Sequence, residues 1–101
     1  MESNEVQNEL QELIASGRLF FVMLVKHGCH PCTIAEPEVK EYLRILQVPF
    51  FSFDMNDEIG ADLSERFKLK SAPSIIGFVN SKYVTAVGGK RIAEVIEALI
   101  E

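Results

Sequence analysis

The reactive side chains of this sequence gather in one tetrapeptide, Cys29-His30-Pro31-Cys32. Its two cysteines are the only ones in the chain. A disulfide between residues three positions apart closes almost no loop and removes little entropy from the unfolded chain, so a structural staple is a poor use of the pair. A C-x-x-C that follows a strand and opens a helix has redox meaning instead. Unpaired amides and the positive end of the helix dipole stabilise a thiolate there, so Cys29 is expected to have a depressed pKa and to act as the nucleophile. Pro31 fits the first helical turn, where its missing N–H costs no hydrogen bond. Cys32 falls one turn later on an apolar face, close enough to attack a mixed disulfide formed at Cys29. His30 is expected to tune both, because a protonated imidazole favours the reduced thiolate and raises the reduction potential.

Other readings of the same residues compete. Half of a zinc site would need two further ligands, and only His27 and His30 remain, crowded into the same segment. Two inertly packed cysteines fit poorly with Gly28 before them and His30-Pro31 between them, which favour an exposed turn. For His30 alone, the competing reading is a solvated residue at a helix start.

The elements that must position this tetrapeptide follow from apolar spacing. A first helix from Asn4 to Ser16 places Val6, Leu10, Leu13 and Ile14 on one face, with Asn4 as its cap and Gly17 as its end. Leu19 to Val25 is apolar without alternation, as expected of a central strand covered on both faces. A second helix, His30 to Gln47, carries Ala35, Val39, Leu43 and Leu46 inward and contains Pro37, where a kink is expected. Phe50 to Phe53 reads as a strand parallel to the first, since a whole helix intervenes. A third helix, Asp57 to Lys68, presents Ile59, Leu63 and Phe67. Strands Ser74 to Val79 and Lys82 to Val87 flank Asn80-Ser81, a spacing that favours a tight hairpin. The last helix, Lys90 to Ile100, turns Ile92, Val95, Ile96 and Leu99 to one side. The resulting order α-β-α-β-α-β-β-α describes an α/β fold, a four-stranded mixed sheet with helices on both faces, and one domain over residues 1–101.

Composition narrows the partners. Ten Lys and Arg against fifteen Asp and Glu give a net charge of -5, so the basic footprint of a nucleic-acid binder is missing. The longest apolar run, Leu19 to Val25, is far short of the roughly 18 to 20 residues of a membrane span. Met1-Glu2-Ser3-Asn4-Glu5 is acidic where a secretory signal is basic and then apolar, which fits a cytosolic protein or one already processed, and a cytoplasmic location is the simpler expectation. Glycine-rich phosphate motifs are absent.

The sequence resembles the thioredoxin family from Arg18 to Ile100. The C-x-P-C frame is Cys29-His30-Pro31-Cys32, the helix proline five residues later is Pro37, and the acidic residue at a strand end is Asp54. The family's cis-proline is similar to Ala72-Pro73, and its glycine after the last strand to Gly88 or Gly89. The resemblance implies a thioredoxin-like fold lacking the N-terminal strand, with the Ala72 backbone, Pro73 and Gly88 forming a groove that binds an extended substrate segment beside Cys29. It also implies a thiol-disulfide oxidoreductase acting mainly as a reductant in electron transport. Protein disulfides would be its substrates, a reductase such as a thioredoxin reductase would recycle it, and it would be a monomer needing no cofactor or metal. A disulfide oxidant or isomerase, and a non-catalytic binding module on the same fold, are the rival functions.

Several positions depart from the family pattern. Gly28 stands where tryptophan is usual, Met23 where an aspartate is buried beneath the second cysteine, and Phe50 where that aspartate's lysine partner is expected. Losing both ends of a buried ion pair together is physically consistent, because a lone buried charge is costly. Glu36, one turn after Cys32, could replace the missing acid as proton acceptor, or could be an ordinary solvated helix residue. The third helix looks a few residues longer than is usual in the family.

Overall fold

Six residues without a polar side chain, Phe20–Val25, form strand β1, and the sheet is laid out around it. The computed structural model describes the backbone of residues 2–100 and the side chains of residues 5–100. Its elements are α1 (Glu2–Ser16), β1, α2 (His30–Ile45), β2 (Phe50–Asp54), α3 (Glu58–Arg66), β3 (Ser74–Val79), β4 (Lys82–Val87) and α4 (Gly89–Ile100). The strand order is β2-β1-β3-β4, with β2 parallel to β1 and the other two pairings antiparallel. Phe20, Phe21, Val22, Met23 and Leu24 are each at most 1% exposed, as a strand covered on both faces must be.

Alternation along the strands sorts side chains between two cores. Phe20, Val22, Leu24, Ile76 and Phe78 pack under α1 and α3, with Leu10, Ile59 and Leu63. Phe21, Met23, Ile75 and Ala86 pack under α2 and α4, with Ala35, Val39, Leu43, Ile92 and Ile96. Asn80 and Ser81 adopt φ of 53° and 64°, the two left-handed residues that a hairpin matching the strand twist requires. The Asn80 N–H then donates to the Gly17 carbonyl at 2.9 Å, tying the hairpin tip to the α1–β1 corner.

Five helix boundaries differ from the sequence expectation, the start of α3 by a single residue because Asp57 is its N-cap. Asn4 lies inside α1 rather than capping it, because nothing at positions 2 and 3 breaks a helix. Both α2 and α3 stop earlier than their apolar spacing suggested, and for one reason. Gln47 and Lys68 take φ of 59° and 57°, turning the chain so that the next N–H closes on the helix end, Val48 to the Leu43 carbonyl and Leu69 to the Ser64 carbonyl. Apolar periodicity continues through Leu46 and Phe67, but the helices do not. At nine residues, α3 is not the lengthened helix expected. At the last boundary, α4 begins at Gly89, one residue early.

Close packing of α3 on the end of β2 depends on Gly60, where a Cβ would lie 1.8 Å from the Asp54 carbonyl oxygen. Pro37 is held within an unbroken α2, and no helix among the described residues is long and apolar enough to cross a membrane.

Candidate active site

The carboxyl end of β1 runs through Lys26, His27 and Gly28 to Cys29, which is the N-cap of α2 with extended backbone. Gly28 makes the turn at φ 77°, and the Cys29 N–H closes it on the Lys26 carbonyl at 3.2 Å. Cys29 and Cys32 are joined as a disulfide, their Cα atoms 5.3 Å apart. The Cys32 N–H points at Cys29 Sγ, 3.3 Å away, so one of the unpaired amides of the helix start is directed at that sulfur. Cys29 is half-buried, whereas Cys32 is 3% exposed. His30 and Pro31 fill the first turn and face solvent.

A second loop closes over the disulfide. The Ala72–Pro73 peptide is cis, and the Ala72 carbonyl oxygen lies 3.7 Å from Cys29 Sγ. Ser74, fully buried, donates its hydroxyl to the Ser71 carbonyl and so pins the turn from inside. Gly88 occupies the left-handed region at φ 89° and donates its N–H to the Pro73 carbonyl at 2.9 Å. The structure thus links Cys29 to Ala72 and Pro73 to Gly88 in one chain of contacts. Of the two candidate glycines, Gly88 makes the turn and Gly89 opens α4.

In the core under α2 and α4, Met23 is fully buried and Phe50 packs against the same cluster. The register partner of Met23 on β2 is Ser52. The Ser52 hydroxyl donates to Glu36 Oε2, and Glu36 is half-buried, so it is not the solvated helix residue that was one of its two readings. Sequence reasoning passed over Ser52, although a lone hydroxyl among Phe50, Phe51 and Phe53 was its visible signal. Ser74 was missed as well, since only the cis turn gives it a task.

Known proteins place this arrangement. No family model matches the chain. Thioredoxin H-type from Fagopyrum esculentum is 26% identical over 96 residues, which is 94% of this chain and 81% of that protein. Thioredoxin-1 of Saccharomyces cerevisiae is 27% identical over 93 residues, covering 91% and 88%. Among solved structures, thioredoxin NaTrxh from Nicotiana alata superposes with a TM-score of 0.79 over 96% of this chain and 84% of its own, at 22% identity.

The chain is similar to thioredoxins in sequence over most of its length and shares their fold. Its four helices and mixed four-stranded sheet are those of the thioredoxin fold. With homologues of that name and a Cys29–Cys32 pair at the start of α2, the protein is a thiol-disulfide oxidoreductase.

Proposed function

We propose that the protein reduces the disulfides of other proteins, with Cys29 as attacking and Cys32 as resolving thiol. The observation that carries this reading is the asymmetry of the pair, a half-buried sulfur at a helix N-cap bonded to a 3% exposed one behind it. In the reduced protein, the Cys32 amide and the helix dipole stabilise a Cys29 thiolate. That thiolate attacks one sulfur of a substrate disulfide and expels the other as a thiolate, leaving a mixed disulfide. Cys32 then attacks Cys29 Sγ and releases the second substrate thiolate, so two electrons pass to the substrate and the Cys29–Cys32 disulfide forms.

The loop at Ala72, Pro73 and Gly88 supports an extended protein segment as substrate, since it lies against Cys29 Sγ. Exposed Ile34 and Val87 add apolar surface on the two elements that flank it. His30 and Pro31 tune the first turn from the solvent side. A cytoplasmic monomer in an electron-transport chain, returned to the dithiol by a reductase such as a thioredoxin reductase, completes the proposal.

Insulin reduction with dithiothreitol as electron source tests it. The wild type is expected to be active and Cys29→Ser to be inactive, while Cys32→Ser accumulates mixed disulfides. Full activity in Cys29→Ser would overturn the assignment of the nucleophile. Equilibration against glutathione separates a reductant from the rival oxidant or isomerase.

A further inference from the structure

Cys32 must lose its proton before it can attack, because the thiolate is the nucleophile. At 3% exposure Cys32 is shielded from solvent base, and Met23, buried in the core that α2 covers, carries no carboxylate to take the proton. The α2 face that carries Cys32 continues one turn later with Glu36, the two Cβ atoms standing about 5–6 Å apart by helix geometry. Glu36 is drawn toward the sheet by the Ser52 hydroxyl, and Ser52 is the register partner of Met23.

We propose that Glu36 accepts the Cys32 proton, directly or across one water, as the mixed disulfide is resolved, and that Ser52 is a positioning residue holding the carboxylate for this step. The inference rests on the resolving role of Cys32 given above. The S–H bond of Cys32 breaks as its sulfur bonds to Cys29 Sγ. Its proton passes to Glu36 and then to solvent, and the electron pair of the broken mixed disulfide leaves with the substrate sulfur. Among charged residues, Lys40 stands one turn further along α2, and Asp54 stands two residues beyond Ser52 on β2, where its Oδ1 accepts the Asn56 N–H at 2.8 Å. On α4, Glu97 lines one cleft with Glu38 of α2.

The test is stopped-flow reaction of the reduced protein with the chromogenic disulfide dithionitrobenzoate. Attack by Cys29 releases one nitrothiobenzoate at a rate that scales with reagent, and resolution by Cys32 releases the second at a rate that does not. Glu36→Gln is expected to leave the first phase unchanged and to slow the second by about tenfold to a hundredfold at neutral pH, the range of general base catalysis. That deficit should close as rising pH lets solvent base remove the proton, a profile that a packing defect would not produce. Glu36→Asp should recover part of the rate, and Ser52→Ala should show a smaller loss of the same pH dependence. A second phase that is unimolecular and equally fast in wild type and Glu36→Gln would overturn the proposal alone. A wild-type second phase that scales with reagent would remove the resolving role and this proposal with it.

Discussion

The two faces of the sheet share the same four strands and differ in what they bury. Under α1 and α3 lie stacked and edge-on phenylalanines, Phe20 against Phe78 at 4.6 Å and against Phe51 at 6.2 Å, and Phe78 against Phe67 at 5.8 Å. The one buried hydroxyl of the molecule's described residues, Ser74, is spent on the Ser71 carbonyl. Under α2 and α4, buried Cys32 is joined on its helix by half-buried Glu36, which is hydrogen-bonded to Ser52. One face therefore supplies cohesion and the other tolerates polar chemistry next to an apolar core. If that division holds, substitutions on the first face should move stability without touching exchange, and those on the second the reverse.

The sharpest separation comes from Phe20→Ala. Phe20 is fully buried between two aromatic rings, so its truncation loses transfer free energy and leaves a cavity, about 3–5 kcal/mol together. Against a typical total of about 5–15 kcal/mol, that is a large part of the stability of the fold. Denaturant melts should show the loss, while well below the midpoint both phases of dithionitrobenzoate reduction should keep their wild-type rates. A stable Phe20→Ala protein with slowed exchange would show that the aromatic face reaches the site and would break the comparison.

The same contrast explains what could be read from the sequence. The aromatic and aliphatic face was legible because burial writes itself as period: all four strands and the parallel crossover follow from apolar runs and intervening helices, and Asn80-Ser81 announces its hairpin. The Cys29–Cys32 pair was legible because strand, glycine, cysteine and helix stand in sequence. Helix ends were less so, since left-handed turns at Gln47 and Lys68 use residues with no particular preference for that conformation. Contacts between distant segments left the weakest trace. Gly60 gives no hint of the Asp54 carbonyl it must admit, and Phe50 drew attention as the replaced lysine, although the polar contact belongs to Ser52 and Glu36.

On the reactive face a smaller effect is expected from His30→Gly. An imidazolium in the first turn of α2 favours the Cys29 thiolate over the disulfide, and removing it should lower the reduction potential. Because His30 is exposed, screening keeps the change within about 30 mV, which corresponds to about 1.4 kcal/mol for two electrons. Glutathione equilibration of both proteins reads it directly, with thermal stability of the oxidised form unchanged. An unaltered or higher potential would reduce His30 to a solvated turn residue and leave Glu36 as the polar group that matters on this face.

The smallest effect belongs to neither core, which is why it calibrates the other two. On the solvent side of α2, Arg44 donates Nε to Glu41 Oε1 at 2.9 Å and Nη2 to Oε2 at 2.7 Å. These hydrogen bonds, reinforced by the guanidinium charge, hold the Glu41 carboxyl below the ordinary carboxylate range and push Arg44 up. A carboxyl whose folded pKa is depressed stabilises the fold above its unfolded value, about pH 4, and loses that contribution as pH falls through the folded value. Glu41→Gln should therefore lower the melting temperature slightly at neutral pH in low salt, with the two proteins converging in acid and also on adding salt. Insulin reduction should be identical. A difference in melting temperature that persists in strong acid would mean that Glu41 acts through packing rather than charge, and a change in reduction rate would extend the reactive face of α2 around to its solvent side.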